Sequence, residues 1–309
     1  MSITADSSFI ETEVSMHRQL LRLAAIAVLV LSACTTIAKR EYVSDRISVI
    51  ARGSGPDVIL IPGLTGHRDA AWGGAAETLD DRYRLHLVQV NGFAGVAPGA
   101  NAEGPVSAPV AEEIARYTRE VDLARPAVIG HSMGGTIGMM LAARHPDVVG
   151  RLMVVDMMPF MGELFGRAGA TPEGLRGIAD QTRAQILEDP PGTGFIAQLF
   201  EGMTLDAEMQ SVLMRHARES DRRTVANAFH ELIVTDLRPE LSRITAPVTV
   251  LYVHPPNVQV PPQQFEASMA RLYANATNAR LVKIDDSRHF IQWDQPARFT
   301  AEVDVFMTR

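Results

Sequence analysis

The sequence predicts an α/β fold, a mostly parallel twisted sheet with helices on both faces. Three observations predict it. Short strand-like runs alternate with helical stretches along the chain, the pattern of parallel strands joined by right-handed crossovers. Val58–Ile61 is a short apolar run of the kind found in a central strand covered on both faces. Ala127–Thr136 reads AVIGHSMGGT, a buried strand that turns sharply through Gly130-His131-Ser132-Met133-Gly134 into a helix. With 46% apolar residues in 309, the chain has material for one large core, and disorder is not the default.

Before the first strand, Met16–Cys34 reads MHRQLLRLAAIAVLVLSAC. A basic start, an apolar stretch from Leu23 to Leu31 and small residues before a cysteine make a secretory signal, too short for a comfortable membrane span. Leu31-Ser32-Ala33-Cys34 resembles a bacterial lipobox, in which the cysteine is lipidated and becomes the new N-terminus. Cys34 is the only cysteine, so a mature chain would have no disulfide. Met1–Ser15 carries Asp6, Glu11 and Glu13, wrong for the start of a signal, and translation from Met16 would remove the conflict. Acyl chains on Cys34 would anchor the protein to a membrane surface without spanning it. The following Thr35, in place of aspartate, resembles outer-membrane lipoproteins, so the expected address is the cell envelope, facing the periplasm. Residues 1–34 are thus extension and signal, and Thr35–Asp45 is a polar tether.

From there the elements follow in order. Arg46–Ala51 alternates as a half-exposed strand, turned back by Gly53-Ser54-Gly55-Pro56. Val58–Ile61 is the buried strand, followed by Pro62-Gly63-Leu64 and a polar loop as far as Trp72. Leu85–Val90 is a strand, Val110–Val121 a helix, and Pro126–Ile129 the strand that enters the turn at Ser132. Thr136–Arg144 is a helix stopped by His145-Pro146. Arg151–Val155 is a strand ending at Asp156. Residues 157–238 lack clear strands and are rich in methionine and helical periodicity. Pro247–Val253 is a strand, Pro261–Tyr273 a helix, Ala279–Ile284 the last strand and Gln295–Met307 a closing helix. The net charge of −7, with no basic run, argues against nucleic acid as a partner. No H-E-x-x-H or Cys/His cluster and no G-x-G-x-x-G after a strand is present, so neither a metal nor a nucleotide cofactor is expected.

Glycines flanking a serine at minus two and plus two, in strand–turn–helix context, have a steric reason. The turn strains the serine backbone, and side chains two residues away would collide. Such a serine needs an adjacent base. Of nine histidines, His17 lies in the signal, His145 at the end of a helix, and His216 and His230 in the inserted segment. His131 precedes Ser132, so its side chain is expected to point away. His289, just after the last strand, is the candidate base.

This order of parts resembles the α/β-hydrolase family from about Arg46 to Arg309, carried by Val58–Leu64, the turn at Ser132 and Ser287-Arg288-His289-Phe290. Arg288 stands where the family often has glycine. The resemblance implies a helical cap at about 157–238, shaping an adaptable apolar pocket or merely packed with methionine. It also implies an oxyanion hole from the backbone N–H groups of Leu64 and Met133. Many relatives take the acid from the loop after the penultimate strand, here His254-Pro255-Pro256-Asn257-Val258-Gln259, which has no carboxylate. Asp156 is the other family position, at a strand C-terminus, with Asp236 or Asn257 as fallbacks. The activity implied is ester hydrolysis through an acyl-enzyme, with a small apolar or lipid-like acyl ester as substrate. Thioester, amide or C–C cleavage would use the same residues, and an anchored binding protein with little turnover is the alternative from another class. Serine in place of aspartate at position 132 disfavours haloalkane dehalogenase and the usual epoxide hydrolase chemistry.

Overall fold

The sheet is assembled from strands that bury opposite sides into separate cores. In β2 (Asp57–Ile61), Ile59 and Ile61 pack into one apolar cluster, while Val58 and Leu60 pack into the other. This is the two-residue alternation of a strand covered on both faces, so every position from 58 to 61 is buried. The computed structural model describes residues 42–165, 169–255 and 260–309; Cys34, most of the tether and Asn257 lie outside the described residues.

The strands are β1 (Ile47–Arg52), β2, β3 (Arg84–Val90), β4 (Ala127–His131), β5 (Arg151–Val155), β6 (Val248–Tyr252) and β7 (Ala279–Lys283). Their spatial order is β1-β3-β2-β4-β5-β6-β7. The β1–β3 pair is antiparallel, and every other pair is parallel. Chain order reverses direction across the sheet beside β2 and β4, leaving a crevice at their C-terminal ends where open α/β sheets place their sites.

On one face lie α1 (Arg68–Leu79) and α10 (Pro296–Thr308), whose Trp72, Phe299 and Val303 fill one cluster. On the other lie α2 (Ser107–Glu120), α3 (Met133–Arg144) and α8 (Pro262–Leu272), contributing Ile114, Ile137 and Phe265. Helix α1 corrects the sequence expectation of a polar loop as far as Trp72. It contains Gly73 at φ +37° and shows almost no polar–apolar periodicity, so nothing in its pattern announces a helix. Burial of Trp72 and four alanine or leucine neighbours holds it instead.

Among the described residues, four α-helices run between β5 and β6: α4 (Pro172–Glu188), α5 (Gly194–Phe200), α6 (Ala207–Glu219) and α7 (Arg222–Val234). Side-chain caps start three of them, with Thr171, Asp206 and Asp221 accepting from their first-turn amides. Helix α7 is tied to the main body by Glu231. Its buried carboxylate accepts from the amides of Val106, Ser107 and Ala108 at 2.8, 2.6 and 3.0 Å. An anion there satisfies the otherwise orphaned N–H groups that open α2. A short helix α9 (Ile291–Asp294) precedes α10. Among the described residues, no helix is long and apolar enough to cross a membrane.

Candidate active site

Ser132 sits between β4 and α3 with φ +53° and ψ −122°, a region that a residue with a side chain enters only under strain, at a cost of about 1–3 kcal/mol. The surroundings hold it there. Its amide donates to the Val155 carbonyl of the neighbouring strand at 2.9 Å, and its carbonyl accepts from Gly135 at 2.7 Å. A Cβ on Gly130 would stand 2.1 Å from the Gly134 carbonyl oxygen, and one on Gly134 would stand 2.1 Å from that of Ile61. No side chain fits at either position, which is why the pattern requires glycine two residues either side.

His289 lies on the loop after β7. Its Nδ1 is 2.7 Å from Asp156 Oδ2. Asp156 follows β5 directly, at φ +50°, and is fixed from two further directions. Its amide donates to the Leu251 carbonyl at 2.8 Å, and its Oδ1 accepts from the Val253 amide at 3.0 Å. Behind it, the buried Tyr273 hydroxyl donates to the carbonyl of Met157 at 2.7 Å. Burial raises the Tyr273 pKa well above the usual phenol range, so this donor stays protonated. Asp236 is placed elsewhere, its carboxylate held at 2.7 Å by Arg238.

His131 meets His289 and Phe290, a contact that the sequence did not reveal. Its ring lies 4.7 Å from that of His289 and 4.5 Å from that of Phe290, centroid to centroid. Nε2 is 3.0 Å from the His289 carbonyl oxygen, so that nitrogen carries the hydrogen and donates. Burial, with His289 alongside, holds the ring well below the usual histidine pKa and keeps it neutral. On its other side, a Cβ at Gly63 would come within 3.1 Å of both His131 Nδ1 and Ser132 Cβ. The Pro62-Gly63-Leu64 turn is therefore pressed against the serine. Among the described residues, the amides of Leu64 and Met133 find no hydrogen-bond acceptor.

Leu64, His131, Ser132, Asp156 and His289 open on one cavity of about 620 Å³. Its walls are largely apolar, with Met157, Met158, Met161, Met203, Phe200 and Phe229 contributed by the segment between β5 and β6. Of the methionines noted in this segment of the sequence, Met157, Met158, Met161 and Met203 thus face the cavity.

The sequence matches the Alpha/beta hydrolase family over residues 58–303. A protein of Serratia proteamaculans (strain 568) with the provisional name carbamate hydrolase RutD is 27% identical over 243 residues, 76% of this chain and 88% of that relative. A pimeloyl-(acyl-carrier protein) methyl ester esterase of Nitrosomonas europaea is 26% identical, covering 67% of this chain and 79% of the relative. Among solved structures, a hydrolase from Pseudomonas aeruginosa PA01 superposes with a TM-score of 0.70 at 20% identity, covering 85% of this chain and 94% of the other. That last likeness is one of fold. The match over most of the chain makes it a member of the alpha/beta hydrolase family, and a hydrolase.

Proposed function

We propose that the protein is a serine hydrolase of carboxylic esters, with Ser132 as nucleophile, His289 as general base and Asp156 as the acid that orients it. The observation that carries this reading is the 2.7 Å Asp156–His289 pair opening on the same cavity as the strained Ser132. In this reading His289 Nδ1–H donates to Asp156, which leaves Nε2 unprotonated to take the Ser132 proton as Oγ attacks the carbonyl carbon. The oxyanion accepts hydrogen bonds from the Leu64 and Met133 amides, which have no other acceptor among the described residues. His289 returns the proton to the departing alcohol, and water then releases the acyl group by the same route.

The apolar cavity supports an apolar acyl group as the part recognised, and the relative from Nitrosomonas europaea is an esterase by name. A fluorophosphonate probe tests the reading. Wild-type protein should be labelled on Ser132 and Ser132→Ala should not; a folded wild-type chain that stays unlabelled overturns it. The anchor is a separate proposal: lipid on Cys34 and an address in the cell envelope, supported by the basic, apolar and small-residue blocks of Met16–Cys34. Mass spectrometry of the N-terminal peptide should find acylated Cys34, and an unmodified cysteine in that peptide sinks the proposal.

A further inference from the structure

Three successive residues of the loop that carries His289 are tied to three different bodies. The Arg288 amide donates to Asp294 Oδ2 at 2.7 Å. The His289 carbonyl accepts from His131 at 3.0 Å. The Phe290 amide donates to the Met203 carbonyl at 3.3 Å. Two of these ties lead to one segment between α5 and α6. Asp294 Oδ1 accepts from the Thr204 hydroxyl at 2.6 Å and from the Leu205 amide at 2.8 Å, so one carboxylate joins that segment to the amide beside the base. Thr204 is buried, and Met203 also lines the cavity.

We infer that Asp294 is a positioning residue for His289, and that the Met203–Leu205 strap it holds makes the alignment of the base depend on what fills the cavity. This rests on the serine-hydrolase reading above. The physical argument is geometric. With Asp294 in place, the strap and the base loop share hydrogen bonds on both sides of His289 and move as one body. A long acyl group packing on Met203 presses the strap against the loop and adds to that hold, whereas a short acyl group leaves the carboxylate as the principal tie. A displacement of the base of about 1 Å costs on the order of 10²-fold in rate. Charge-assisted hydrogen bonds to three donors are the kind that fix a loop to better than that.

The test compares p-nitrophenyl acetate with p-nitrophenyl octanoate, with kcat expressed per site titrated by a fluorophosphonate. Asp294→Ala should lose about 10²-fold in kcat on acetate and at least tenfold less on octanoate, with KM on acetate little changed. Asp294→Asn keeps one oxygen, enough to accept from the strap or from Arg288 but not from both, and should fall between. Thr204→Val removes the hydroxyl that donates to Asp294 and accepts from the Asp206 amide and, if Asp294→Ala fails to fold, carries the same chain-length signature in weaker form, with Thr204→Ser, which keeps both bonds, restoring the wild-type ratio. An active wild type in which Asp294→Asn and Thr204→Val lose kcat equally on both esters, or not at all, overturns the inference. A wild type without serine labelling overturns the underlying reading instead, so the two failures are distinguishable.

Discussion

Replacing Ser132 by alanine is expected to lower kcat toward a carboxylic ester by about 10⁶-fold, since a nucleophile that acts as one unit with its base takes the whole unit's contribution with it. The remaining rate over water comes from the oxyanion donors and from binding, which the substitution leaves in place. Circular dichroism and thermal unfolding should be near wild type. The position is strained at φ +53° whichever side chain occupies it, so losing the hydroxyl removes no native contact that the backbone needs. Ser132→Gly separates strain from chemistry: equally inactive, it should unfold at higher temperature, because glycine adopts positive φ without steric cost. The kcat of purified Ser132→Ala decides the matter. A value within tenfold of wild type moves the nucleophile elsewhere.

The parts of this molecule that were legible in the sequence are those that local sterics and two-sided burial dictate. Strands β2, β4 and β5 were readable within two residues because both their faces are covered, and an uninterrupted apolar run has few other places to go. Ser132 was readable because its glycines answer to contacts of 2.1 Å that no other residue survives. Asp156 was named from the sequence as the other family position for the acid, with Asp236 and Asn257 left open, and the sheet order supplies a physical reason for that position. Because β5 lies beside β6, a carboxylate ending β5 accepts from the Val253 amide just past β6, and so occupies the ground that the carboxylate-free loop after β6 would otherwise hold. Helix α1 was not legible, since two adjacent glycines and an alanine-rich composition leave no period to read. Neither were the contacts of His131 and Asp294. Each meets the His289 loop at a main-chain group, His131 at the His289 carbonyl from 158 positions away in the chain and Asp294 at the Arg288 amide, and no spacing rule encodes such a contact.

Asp156→Asn is expected to lower kcat about 10⁴-fold, the loss that follows when a triad carboxylate becomes an amide and the histidine is left in the wrong tautomer. The surroundings of Asp156 say which tautomer that is. Oδ1 accepts from the Val253 amide, a donor that a side-chain NH₂ cannot meet, so asparagine keeps its oxygen there and turns its nitrogen toward His289. His289 Nδ1 must then accept, its proton moves to Nε2, and the nitrogen that should take the serine proton is already protonated. The charge that stabilises imidazolium is lost at the same time. Stability should change little, because asparagine tolerates φ near +50° and keeps both the Val253 bond and its own amide bond to Leu251. Asp236→Asn is the matched control: its carboxylate is engaged by Arg238, and its loss should leave turnover unchanged. Steady-state kinetics on the two variants, with circular dichroism on each, provide the check. Near-normal turnover in Asp156→Asn alongside a collapse in Asp236→Asn would transfer the role of the acid, and a 2.7 Å pair at the cavity would then be structural rather than catalytic.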